Sequence, residues 1–247
     1  MSRHIDRALR GWDYEPGSVQ ARLIKGGDGR RVIQMRVDLG VLQIETEGRP
    51  DGQHPHGCAT YFDYLRRRAR EAEAGDTPFR LDEDECQEAD REFLQFYHRR
   101  ICWLALHEYE KAVADADHTL AFMDFLRAHS PSEAYTQAHE QYRGFVTFQR
   151  TQGAAALALA QNDPEAAIDE VRRGLSRLRD FFAAQDAEDH MEADGMVRHL
   201  RKIEDFVRRE HRIGATLREQ LDQAIANEEY ETAARLRDEL RKRAESA

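Results

Sequence analysis

Two stretches of this 247-residue chain can be laid over each other. LHEYEKAVADADHTL, residues 106–120, fits AQNDPEAAIDEVRRGL, residues 160–175, when Ala112 is set on Ala167. Val113 then meets Ile168, Leu120 meets Leu175, and upstream RRICWLAL meets AAALALAQ. Each stretch reads as a helix, a short turn and a second helix with a small alanine near its start. Small residues there let two antiparallel helices approach closely. One such unit cannot bury its apolar face alone and must stack on neighbours. The class that follows is mainly α, with helical hairpins through the middle of the chain. A separation of 55 residues leaves room for an extra helix or loop between the units.

Composition agrees with that class. Charged residues make up 34% and hydrophobic residues 40%, which suits a charge-laced helical protein more than a large buried enzyme core. Only 6 prolines are present, so long helices are allowed. A net charge of −10 argues against wholesale binding to phosphate backbones. Three cysteines do not make a disulfide framework and suit a reducing cytoplasm. The N-terminal MSRHIDRALRGWDYEPG has no apolar run, so no secretory leader is expected. No stretch approaches the roughly 20 apolar residues of a membrane span, so no membrane partner is expected.

The repeated unit resembles the tetratricopeptide repeat, a helix-turn-helix element that stacks into curved arrays. The resemblance covers residues 89–183, with a spacing well above the roughly 34 residues usual for it. Five segments follow. Residues 1–65 form a small antiparallel β-rich module and 66–88 a charged helix and linker. Residues 89–185 form the repeat-like hairpins, 186–212 an acidic joint and connecting helix, and 213–247 a C-terminal helical hairpin.

Strand signals are confined to the first segment. Val19–Lys25 and Arg31–Leu39 flank Gly26-Gly27-Asp28-Gly29, whose glycines supply positive φ in a hairpin loop. Ile33, Met35, Val37 and Leu39 alternate with polar residues, Gly40 interrupts as a turn or bulge, and Val41–Thr46 resumes. Arg49-Pro50-Asp51-Gly52 is turn chemistry. Thr60 and Asp63 predict the cap of a helix over YFDYLRRRAREA, and LDEDECQEADRE reads as linker. In MVRHLRKIEDFVRRE, Met196, Leu200, Ile203 and Val207 make a narrow seam. It suits a helix packed on the preceding repeat, or alternatively a short coiled coil.

The last segment, LREQLDQAIANEEYETAARLRDEL at 217–240, breaks at Asn227-Glu228-Glu229 between two apolar stripes. Leu217, Leu221 and Ile225 recur every four residues. Tyr230, Ala233, Ala234 and Arg237 follow the 3–4 spacing, with Leu236 and Leu240 alongside. Leucines against Ala-Ala predict a close antiparallel crossing, with Tyr230 plugging the turn end. About 30 residues fall short of the roughly 40 needed to fold alone, so the hairpin requires another body to pack on. One reading makes it the last helix of a third repeat, with Tyr230 on Tyr109 and Ala233 on Ala112. The AARLRDEL signature favours another. Residues 213–243 resemble the UVR motif shared by the B and C subunits of the bacterial excision-repair nuclease. That motif also occurs in some Clp-type chaperones and in partners of a bacterial protein-arginine kinase. The resemblance implies a hairpin that binds another protein, often a second UVR hairpin or a second copy of itself. The positions it carries over are Leu217, Leu221, Tyr230, Ala233, Ala234, Leu236, Arg237, Asp238 and Leu240. It further implies charged contacts from Arg237 and Asp238, which otherwise pair one turn away. No P-loop or helicase motif accompanies it, so repair catalysis does not transfer.

Other chemistry is sparser. His54, His56 and Cys58, with Cys86 as a fourth, are the metal-ligand candidates, although paired C-x-x-C steps are absent. Arg66, Arg67, Arg68 and Arg70 beside Tyr61 and Tyr64 are the residues suited to nucleic acid, diluted by Glu71 and Glu73. Asp38, Arg49, Asp51 and His54 mark the place where an enzyme site would have to be. His98, His107, His118, His129 and His139 lack an evident nucleophile partner, no catalytic set is proposed by spacing, and Trp103 is expected to pack in the first repeat. The expected function is a non-enzymatic, cytoplasmic bacterial adaptor without a cofactor, working in DNA-repair or protein-quality-control assemblies. The alternative is a nucleic-acid-associated factor acting through the N-terminal module and Arg66–Arg70.

Overall fold

A computed structural model describes the backbone of residues 5–246 and the side chains of 5–242. The chain divides into two compact units, Met1–Val146 and Thr147–Ala247.

In the first unit a short helix α1, Asp6–Leu9, precedes three antiparallel strands in the order β1-β2-β3. These are β1 Ala21–Lys25, β2 Arg31–Val37 and β3 Gly40–Glu45. Gly29, at φ 86, closes the β1–β2 loop by donating to the Gly26 carbonyl. The second connection differs from expectation. Val37 pairs with Gly40, so Asp38 and Leu39 are a two-residue turn and Gly40 belongs to the strand. Leu39 is therefore 92% exposed at the tip instead of on the buried face. The buried face carries Ile33 and Ile44 onto Cys102, Trp103 and Ala112. On the other face Arg22 binds Gln34 and the Ala8 carbonyl, and lies over the Trp12 ring.

Four helices complete this unit: α2 Tyr61–Ala74, α3 Glu83–Ala105, α4 Tyr109–His129 and α5 Glu133–Glu140. The expected Thr60 cap is present, accepting from the Asp63 amide at 3.0 Å. The boundary expected at residue 65 falls inside α2. The stretch read as linker is also helix. Asp82 and Glu85 form a reciprocal capping box, and Glu83, Asp84 and Glu85 place negative charge on the first turn of α3. Acidic side chains stabilise a helix N-terminus, so a run that looked like linker starts a 23-residue helix. Tyr61, Phe62 and Leu65 of α2 pack with Ala89 of α3 and Phe122 and Leu126 of α4.

Buried charge ties these pieces together. Arg99 donates to both oxygens of Asp115 at 2.8 and 2.9 Å and to the carbonyls of Glu45 and Gly48 beyond β3. Glu92 takes the Tyr61 and Phe62 amides at 2.6 and 3.0 Å, at the start of α2. Arg49 lies 3.5 Å from Glu92 and 2.5 Å from Glu88.

The division between the units falls within α6, Arg143–Ala160. The second unit continues with α7 Pro164–Ala183, a 3-10 segment Glu188–Ala193, α8 Gly195–His211, α9 Leu217–Ala226 and α10 Tyr230–Ser246. The acidic joint is thus that 3-10 segment, pinned by buried Met191. Val197, Leu200 and Val207 of α8 are buried with Ile168, Val171 and Leu178 of α7. The α8 seam is occupied by α7, which corrects the coiled-coil alternative.

The superposable stretches share one backbone solution. His107 at φ 58 and Asn162 at φ 59 occupy the same place in their turns, and Ala112 and Ala167 are both buried. In each turn the next amide reaches back five residues, Glu108 to the Trp103 carbonyl and Asp163 to that of Ala158. This is the Schellman closure of a helix end. Glu228, at φ 61, repeats it between α9 and α10, with the Glu229 amide on the Ala224 carbonyl.

α6 and α7 cross so closely at Gly174 that a Cβ there would lie 2.2 Å from Thr151 Oγ1 and 2.7 Å from its Cβ. Gly174→Ala is expected to destabilise the second unit by about 1–3 kcal/mol through overpacking, measured as a fall in thermal midpoint. Gly195→Ala, at a helix start with open space around it, is expected to leave the midpoint unchanged or raise it slightly.

Candidate docking hairpin

The C-terminal hairpin begins at a capping box. Thr216 Oγ1 accepts from the Glu219 amide at 3.2 Å, and the Glu219 carboxylate accepts from the Thr216 amide at 2.6 Å. Both side chains also leave the hairpin. The Thr216 hydroxyl donates to Asp169 Oδ1 of α7 at 3.0 Å and Thr216 is fully buried. Glu219 pairs with Arg172 of α7 at 2.8 Å and Arg208 of α8 at 2.7 Å, and both arginines also hold Glu204. A polar clamp thus fixes the first turn of α9 to two helices.

Beyond that turn the hairpin packs on itself. Among the described residues its core is Leu217, Ala224, Ala233 and Leu236, with Leu221 and Leu240 partly buried against them. The α9 stripe is 217, 221, 224. Seven residues bring a helix back to within about 20° of its starting face, whereas eight overshoot by about 80°. Ile225, expected in that stripe, is therefore 54% exposed. On α10 the inward positions are Ala233, Leu236 and Leu240, with Ala234 half-buried beside them. Tyr230 does not plug the turn. It is 71% exposed, because the Schellman closure seals the turn with backbone bonds. Arg237 and Asp238 contact each other at 3.3 Å, and Arg241 lies 3.7 Å from Asp238, all on the solvent side. Such exposed pairs stabilise by at most about 1 kcal/mol.

The electrostatics of the clamp run in two directions. Burial works against the Glu219 charge, but the Thr216 amide and the Arg208 and Arg172 guanidiniums outweigh it and hold its carboxyl below the ordinary range. Burial pushes the Asp169 carboxyl above its ordinary range, against the bond from Thr216 and the pull of Arg218 and Arg173.

The remaining candidates do not assemble. His56 sits in a 3-10 turn at φ 50, stacked on Tyr64 with ring centroids 3.8 Å apart. Cys86 lies in an apolar core, and no group of three His, Cys, Asp or Glu among the described residues is placed to hold a metal with His54 or Cys58. Arg66, Arg67 and Arg70 are exposed on α2, while Arg68 is paired with Glu85. The tyrosines beside them are poor base platforms, since Tyr61 is buried and one face of Tyr64 carries His56. Of the four residues marked for an enzyme site, Arg49 and Asp51 meet at 3.5 Å. Arg49 is a buried structural cation, Asp38 lies in the β2–β3 turn, and His54 is exposed.

Two helices closed on a small internal core and clamped at one end, with Ile225 and Tyr230 exposed beside the polar turn at the other, make up the candidate site. The family model for the UvrB/uvrC motif matches residues 215–242, which span that hairpin and its cap. The match gives the chain a coarse link to the interaction motifs of DNA-repair proteins. Neither a curated protein nor a solved structure matches the chain. No helix among the described residues is long and apolar enough to cross a membrane.

The clamp was the part that sequence reasoning missed. Thr216-x-x-Glu219 before an apolar run is a legible capping box. Asp169, Arg172 and Arg208 carry no local signal of their own. Thr216→Val removes a cap and the Asp169 bond together. It is expected to destabilise the hairpin by about 1–2 kcal/mol. Amide exchange should then rise across 217–240 while α7 stays protected. The pH dependence follows from Glu219. Its stabilisation is present above the ordinary glutamate pKa of about 4.3 and is lost as pH falls through its lower folded value. Exchange of the hairpin should therefore speed up on acidification, and Glu219→Gln should speed it already at neutral pH and flatten the Glu219-dependent part of that response. Asp169 has the opposite sign, so Asp169→Asn is expected to relieve a cost at neutral pH.

Proposed function

We propose that the chain is a non-enzymatic adaptor that binds a protein partner through its C-terminal hairpin. One observation carries the reading: the hairpin satisfies its own core, yet leaves Ile225 and Tyr230 exposed at the end remote from its clamp. Exposed large apolar side chains on a rigidly held element suit a contact surface. Arg237 and Asp238, on the solvent side of α10, add charge near that surface. The partner surface is a helix pair of the same kind, another UVR hairpin or a second copy. The repeat-like middle offers a further surface for a second protein. The setting is a bacterial cytoplasm, in a DNA-repair or protein-quality-control assembly, and the three free cysteines suit it.

The test compares crosslinked and co-purified partners of the full-length protein with those of a Tyr230→Ala, Arg237→Ala double variant. Both residues are exposed, so the fold is expected to survive and specific partners to drop out. Identical partner sets would refute docking by the hairpin.

A further inference from the structure

The first unit contains a cavity of about 610 Å3 that no hairpin residue lines. Phe93 and Tyr97 of α3 and Met123 of α4 wall it. Met123 and Val146 are buried at its base, in one core cluster with Ala116. Leu94, Tyr142 and Phe145 line it too but stay substantially exposed, so the mouth is apolar and open. Three large apolar side chains left in water around one concave space, in a chain with 34% charged residues, form a patch of the kind that marks a binding site. The volume falls within the range of about 300–1,000 Å3 usual for small-molecule pockets, which are lined mainly by apolar and aromatic side chains.

The charged groups of the lining are already engaged. Arg100 is buried, donates to the Thr119 hydroxyl at 3.0 Å and has a further interaction of its own. The Tyr97 ring centre lies 5.9 Å from its guanidinium. The Thr119 hydroxyl gives its proton to the Asp115 carbonyl at 2.8 Å. At the rim Asp90 accepts from the Tyr135 hydroxyl at 2.7 Å and lies 3.0 Å from His139 Nε2. Burial pulls the Arg100 pKa down to about 10, against the pull of Asp115 and Tyr97, as expected where little water reaches. Among the described residues, the lining thus offers a ligand apolar surface and no unengaged charge.

We infer that this cavity binds one small uncharged molecule, aromatic or aliphatic, held by burial of its apolar surface against Phe93, Tyr97 and Met123. Such a ligand gains by removing apolar area from water, both its own and that of Leu94, Tyr142 and Phe145 at the mouth. A charged relative of the same shape loses its hydration on entering and finds no partner in return. The volume corresponds to about 20 water-sized groups, enough for two fused rings bearing a third.

Fluorescence titration of the full-length protein with N-phenyl-1-naphthylamine, an uncharged dye that brightens in apolar surroundings, tests this. The dye is expected to saturate at one site per chain. 8-Anilinonaphthalene-1-sulfonate has the same ring frame with a sulfonate set against it, so its charge cannot stay behind in the water. It is expected to bind about tenfold or more weakly. Ala138→Trp, at an exposed position of the lining, should block the dye and leave the thermal midpoint unchanged. Leu94→Glu sets a charge at the mouth and should weaken the dye about tenfold. Tyr230→Ala, outside the cavity, is expected to bind the dye as the wild type does. Absence of saturable dye binding, equal or tighter binding of the sulfonate, wild-type binding by Ala138→Trp or Leu94→Glu, or loss of binding in Tyr230→Ala would each overturn the assignment.

Discussion

Arg99 directs donors at four acceptors: two carboxylate oxygens of Asp115 and the carbonyls of Glu45 and Gly48. A small three-stranded sheet depends for its stability on burying one apolar face. Its inner face, Ile33 and Ile44, packs on Trp103 and Ala112, and the chain leaving β3 is held to α3 by Arg99 and by Arg49 against Glu88 and Glu92. Arg99 and Asp115 are both buried, an arrangement that is tolerable because each charge is met by hydrogen bonds as well as by its partner. The same logic repeats along α3. Glu92 is buried at the first turn of α2, where the free amides of a helix start and the nearby Arg49 offset its charge.

The second unit solves a similar problem with similar means. Among the described residues α9 and α10 share a core of six side chains, too few to place them against anything. Their position comes from Thr216 and Glu219, which serve simultaneously as the helix cap and as ligands for Asp169, Arg172 and Arg208. In both units a polar group that a helix end requires anyway also binds a neighbouring element. One residue thereby supplies secondary and tertiary structure together.

Much of this could be read from the residues, and the failures have physical causes. The superposition of Ala112 on Ala167 pointed to two helical hairpins, and the matching left-handed residues at 107 and 162 show why the spacing works. The third alignment, Tyr230 on Tyr109, found the same turn at Glu228, so the repeat-like and hairpin readings describe one backbone geometry. The start of α3 was hidden because an acidic run looks like linker unless the reciprocal cap from Asp82 to Glu85 is noticed. Ile225 was misplaced by counting in fours where the helix turns in sevens. Arg49 reads in the sequence as a turn residue and as a mark of a conceivable enzyme site, and only the tertiary arrangement of Glu88 and Glu92 around it makes it a core cation.

The clamp at Thr216 and Glu219 divides the hairpin into two regimes. Within α9 and α10 the cohesion is apolar and nearly indifferent to dissolved ions. At the joint it is carried by ion pairs of 2.7 and 2.8 Å and by the bond from buried Thr216 to Asp169, contacts too short for salt to screen strongly. The direction in which the hairpin points is thus set by polar contacts and its integrity by apolar ones. An assembly seated on Ile225 and Tyr230 would keep its contact surface intact in acid while the joint beneath it loosened as Glu219 took up a proton.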